Sequence, residues 1–136
     1  GLELDPRLVL QGAFSFESGR ECGRVLLSRA ERPTAVFAAN DEMAAGVLHV
    51  ARQLGLEVPA QLSVAGFDDN PLSRHVYPTL TTVHQPVRAM AEMSVRRLVD
   101  AVREGRREPQ QQRLAHELIV RDSTGMPPAS MAVRPR

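Results

Sequence analysis

The chain has 136 residues, enough for one ordinary domain that buries roughly two-thirds of its unfolded surface. Its 43% apolar and 24% charged residues are the proportions of a soluble globular protein, and argue against both a disordered chain and a membrane one. The net charge of +1, with acids and bases interspersed, offers no basic face for a phosphate backbone, so nucleic acid is not expected as a direct partner.

The first ten residues, GLELDPRLVL, lack the positive region and apolar stretch of a secretory signal. No run approaches the roughly 20 apolar residues of a bilayer helix, so no membrane partner is expected. Val9 to Gln11 is a short apolar stretch closed by Gly12, a first strand. Ser15 then supplies a capping oxygen for a helix of about four turns, on which Cys22, Val25, Leu26 and Ala30 recur at helical spacing. Gly19 and Gly23 form a neighbouring stripe that lets another element pack closely. After Pro33, Ala35 to Ala39 is too short for a helix and reads as a strand buried on both faces, as in parallel sheets. Asn40 and Asp41 are good helix starters, and Ala44, Val47, Leu48, Ala51 and Leu54 trace one face up to Gly55, the expected left-handed terminator.

Leu62 to Phe67 is the next buried strand, ended by Asp68-Asp69-Asn70-Pro71. Thr81 to His84 is another, and Pro86 opens a helix whose Ala91, Val95, Leu98, Val99 and Val102 align before Gly105. Leu114 to Val120 alternates well enough for a last strand. The alternation of strands and helices predicts an α/β fold, an open, mostly parallel sheet with helices on both faces. Ligands of such sheets bind at the carboxyl ends of strands. That rule selects Phe14-Ser15, Asn40-Asp41, Asp68-Asp69 and Gln85.

Each place also has a plain structural reading. Asn40-Asp41 can cap a helix for about 1 kcal/mol, or its amide and carboxylate can bind sugar hydroxyls or purine edges, the two roles being divisible between them. Asp68-Asp69 can be an Asx turn, or a carboxylate pair for acid/base work or magnesium. Catalysis needs a nucleophile or a second titratable group, and no G-x-S-x-G, H-E-x-x-H, C-x-x-C or phosphate-loop pattern occurs, so no enzyme is expected. His49, His75, His84 and His116 lack ligand spacing, and neither a metal nor a cofactor is expected. His84 stands beside Gln85 at a strand end, though packing explains it as well. The single Cys22 makes no internal disulfide, which suits a reducing cytoplasm, the expected location.

The string from Arg32 to Ala44 (RPTAVFAANDEMA), followed by Leu62 to Asp69 (LSVAGFDD), resembles the carboxy-terminal subdomain of LacI/GalR transcriptional regulators. So do Asp5-Pro6, Gly12-Ala13-Phe14-Ser15, Pro78 to Val83 with Gln85-Pro86, and Leu118 to Gly125 (LIVRDSTG), in that order along the chain. The resemblance implies a periplasmic-binding-protein-like sensor whose two subdomains close over a small effector, most often a sugar, otherwise a nucleobase. It implies that Phe14 stacks on the effector while Asn40, Asp68 and Gln85 hydrogen-bond it. It implies a homodimer joined through the helices after Ser15 and Asp41 and the loop near His75, with Cys22, Val47, His75 and Val76 at the interface. Residues 1–125 would then be a partial effector-binding and dimerisation domain, 86–104 a crossover helix belonging against a second subdomain, and 126–136 a flexible tail. Operator DNA would be met only through an amino-terminal head that this stretch does not include, and Val87 stands where some members carry an aromatic. The implied function is effector sensing in a regulator, a repressor by family habit, and the alternative is a periplasmic sugar-binding protein of a transport system.

Overall fold

The computed structural model describes residues 4–105 and 111–128, and most of the expected tail, 129–136, lies outside them. Helix α1 spans Phe16–Leu27 and starts on a reciprocal cap: Ser15 Oγ accepts from the Ser18 amide, and Ser18 Oγ from that of Ser15. Strand β1 spans Ala35–Phe37, helix α2 Asp41–Gln53, strand β2 Ser63–Asp68 and strand β3 Thr81–His84. Helix α3 spans Val87–Glu104, with Pro86 as its cap residue and left-handed Gly105 closing it, and strand β4 spans Glu117–Ile119. Gly55 likewise takes the left-handed conformation its position after α2 predicts.

The four strands form one sheet in the order β1-β2-β3-β4, the first three parallel and β4 antiparallel to β3. The core lies between the inner face of α2 and the sheet, where Ala44, Val50, Ala51, Leu62, Val64 and Leu80 are wholly or almost wholly buried. Buried Ser123 stitches the amino ends together: its hydroxyl donates to Val64 O at 2.6 Å and accepts from the Thr81 amide at 2.8 Å. The return strand is thus held by a side chain as well as by its short ladder.

Two expectations are corrected. Val9 to Gln11 joins no strand, though Val9 itself is extended, and β1, read as buried on both faces, exposes Ala35 and Phe37. Ala35 and Phe37 alternate with half-buried Val36 and so share the one face of β1 that is left uncovered, and β1 is the edge of the sheet among the described residues. Helix α3 has no buried residue, so its apolar face of Val95, Leu98, Val99 and Val102 does not fold back onto the sheet.

Helix α1 packs on α2 across the expected glycine stripe. A Cβ built at Gly19 would run into the Met43 carbonyl, and one at Gly46 into that of Phe16, so the backbones touch. Gly19→Ala is therefore expected to destabilise the domain by about 2 kcal/mol, since overpacking against backbone outweighs the ~1 kcal/mol gain in helix propensity. A fall in the urea midpoint at unchanged slope checks it.

Candidate functional site at the strand ends

Because β2 and β3 run parallel with Asp68 opposite His84, Asp68 and Gln85 leave the sheet side by side. Gln85 Nε2 donates to Asp68 Oδ1 at 2.7 Å. Asp68 and Asp69 hold φ values of 115° and 56°, a region that side-chain-bearing residues seldom enter and that Asp and Asn tolerate best. The strand end turns sharply there. Beside it opens a cleft of about 760 Å³, bordered by Asp68, Asn70, His84, Gln85, Arg88 and Glu92, within the ~300–1,000 Å³ typical of small-molecule sites.

Two buried carboxylates hold the turn. Asp41, fully buried in the first turn of α2, accepts from Thr82 Oγ1 at 2.6 Å and from the Asn70 amide at 2.8 Å. Burial raises its carboxyl above the ordinary range, and those two hydrogen bonds only partly oppose that. Asp69, whose side chain is 5% exposed, lies 2.5 Å from Arg121 Nη2 and also meets Ser73, Arg74 and His84. Burial alone would raise the Asp69 carboxyl, but the Arg121 hydrogen bond and charge, with Arg74, outweigh it and hold the group below its usual value. Arg121 further donates to Leu80 O at 2.7 Å and Ser73 Oγ at 3.1 Å, fixing strand end, loop and return segment together.

Asn40 occupies the cap of α2, its Oδ1 accepting from the Met43 amide at 2.9 Å, and its Nδ2 donates to Phe14 O at 3.0 Å. The four candidate ligand residues therefore stand as two bonded pairs, Asn40 with Phe14 and Asp68 with Gln85. Phe14 is 64% exposed, on backbone at φ 55°, and borders a second cavity rather than the cleft at Gln85. Asp41 faces inward, which leaves Asn40 as the outward member of its pair. His84 is absorbed into the Asp69 network, with Nδ1 3.2 Å from Oδ2.

Of the four interface candidates, Val47 is buried between α1 and α2, and half-buried Cys22 directs Sγ to Gln11 O at 3.7 Å. His75 is exposed, its Nδ1 2.6 Å from Pro71 O, and half-buried Val76 packs on the core. The Arg121–Asp69 pair was not singled out by motif or spacing. Each residue lies in a string that carried the resemblance, Asp69 in LSVAGFDD and Arg121 in LIVRDSTG, but nothing in the sequence joined the two.

The chemistry on offer is recognition. Asp68 Oδ2 has no protein partner among the described residues and can accept from a hydroxyl, while the Gln85 amide beside it can both donate and accept. Among the described residues no three His, Cys, Asp or Glu side chains cluster to hold a metal, and no helix is long and apolar enough to cross a membrane.

Residues 1–124 match the periplasmic binding protein-like domain family. The HTH-type transcriptional regulator CelR of Thermobifida fusca is 40% identical over 123 residues, covering 90% of this chain and 36% of the relative. The chain thus spans about a third of the length of that regulator. Among solved structures, a CelR–cellobiose complex superposes with a TM-score of 0.84 at 39% identity, covering 90% of this chain and 37% of the other. A LacI family regulator from Enterococcus faecium with bound ribose gives 0.73 at 31%, covering 83% and 41%.

Proposed function

The chain belongs to the periplasmic-binding-protein-like domain family, in the form that LacI/GalR regulators carry, and from that premise we propose that it senses a small effector for a transcriptional regulator. The observation that carries this reading is the Asp68–Gln85 pair at adjacent carboxyl ends of parallel strands, where open α/β sheets take their ligands. A free carboxylate oxygen beside an amide suits neighbouring hydroxyls, so we assign the effector to the sugars. Support comes from two structural neighbours that hold cellobiose and ribose. Phe14 and Asn40, at the neighbouring strand end, would contribute an apolar face and an amide N–H.

On this reading the protein represses or activates as a cytoplasmic homodimer, reaching operator DNA through a separate segment. His75, the exposed member of the interface candidates, would lie on the face for self-association. The transport alternative is disfavoured, because the relatives matched are transcriptional regulators. Calorimetric titration of the natural polypeptide at full length against cellobiose, ribose and a nucleoside panel tests the proposal. Saturable binding of a sugar is expected. A folded protein that binds no sugar, or a nucleoside alone, overturns it.

A further inference from the structure

The cleft beside the Asp68–Gln85 pair continues along the first turns of α3, past Pro86, Val87 and Ala89, to Arg88 and Glu92. There Arg88 Nε donates to Glu92 Oε1 at 2.9 Å. Glu92 Oε2 and the Arg88 Nη groups have no protein partner among the described residues, and the two side chains are 59% and 93% exposed. An ion pair this open contributes little to folding, so its polar atoms are free for another use.

One cleft thus carries the same arrangement twice. At each end a carboxylate accepts from a neighbouring N–H donor and keeps one oxygen unpaired, Asp68 with Gln85 and Glu92 with Arg88. Such a set matches a sugar diol, one hydroxyl donating to the carboxylate oxygen while the next accepts from the N–H groups. Between the pairs the wall of Pro86, Val87 and Ala89 is apolar, and suits the C–H face of a ring. Because Arg88 and Glu92 neutralise each other, that end favours uncharged hydroxyls over an anion. Helix α3 opens at Val87 and reaches Glu92 more than one turn later, about 8 Å along its axis. That spacing gives one pyranose ring a single pair, and two linked rings both. The neighbours with cellobiose and ribose hold one disaccharide and one monosaccharide, so the length of the sugar is decided by the cleft itself.

We propose that the effector is an uncharged disaccharide, its first ring held at Asp68–Gln85 and its second at Arg88–Glu92. Arg88 and Glu92 are then the residues that set the length of the sugar. This rests on the sugar-sensing reading above and narrows it.

Calorimetric titration of the natural polypeptide at full length with cellobiose, maltose, lactose, glucose, galactose and ribose tests this. The tightest of the six is expected to be a disaccharide, bound about 30-fold or more tighter than either of its constituent monosaccharides. In Glu92→Ala that advantage should fall about 10-fold, with Tm within about 2 °C of wild type. Arg88→Met removes the donors, keeps the aliphatic stem, and should give the same fall. A monosaccharide that binds as tightly as any of the disaccharides overturns the inference and leaves sugar sensing standing, whereas failure of every sugar overturns both. An advantage that survives in both variants also overturns it, since the second ring then lies elsewhere.

Discussion

Replacing Arg121 with leucine lowers the stability of the domain at neutral pH by about 3 kcal/mol, the range for breaking a buried ion pair from one side. The loss is large because the Arg121 side chain is 13% exposed and its guanidinium serves Asp69, the Leu80 carbonyl and Ser73 together, so its removal strands several acceptors. Arg74 and His84 still reach the Asp69 carboxylate, which keeps the loss below that of a wholly orphaned charge. The effect depends on pH with a fixed sign. The Asp69 carboxyl is held below its ordinary value in the folded state, so the stability it contributes is present above the unfolded value near ~3.9. That contribution disappears as pH falls through the lower folded value. The gap between wild type and Arg121→Leu should accordingly be widest near pH 7 and shrink below about pH 4. Urea unfolding of the two proteins at pH 7 and pH 3 checks both size and sign. A gap that stays constant with pH would assign the loss to packing alone.

That pair also shows where sequence reading stopped. Helices α1, α2 and α3 were legible because caps and apolar periodicity are local: Ser15, Asn40, Gly55 and Gly105 act on the next or preceding turn. Strands β2 and β3 were legible as short β-branched runs bounded by polar turns. The status of β1 was not, because whether an apolar strand is interior or edge depends on neighbours its own residues do not encode. Asp69 and Arg121 lie 52 positions apart, so no spacing rule joins them. At Asn40-Asp41 the sequence offered both a capping and a binding role without dividing them. The helix start decides the matter: Asn40 caps and stays accessible to Phe14, while Asp41 in the first turn is carried into the core against Thr82. Asp68 and Gln85 were selected by the strand-end rule alone, and parallel register then set them in contact.

That contact leads to the second large effect. Asp68→Asn keeps a residue type that tolerates φ near 115°, and its side-chain oxygen can still accept from Gln85 Nε2. What it removes is the charge on the oxygen offered to a sugar hydroxyl. Hydrogen bonds to charged groups contribute about 1.5–3 kcal/mol, which corresponds to a loss of roughly 10- to 100-fold in affinity. Stability should hardly move, since Asp68 is partly exposed and the turn is held by Asp41, Asp69 and Arg121. Gly19→Ala and Arg121→Leu do the reverse, striking stability first. A variant that binds weakly while melting normally thus separates recognition from folding.

The most direct measurement of the central claim is therefore a calorimetric titration of the tightest-binding sugar of that panel into the natural full-length polypeptide and its Asp68→Asn variant, with thermal melts of both. The account predicts a Kd raised by about 10-fold or more in the variant, with Tm unchanged within about 2 °C. Equal affinity in two equally stable proteins would contradict it, and would place sugar recognition away from the Asp68–Gln85 pair.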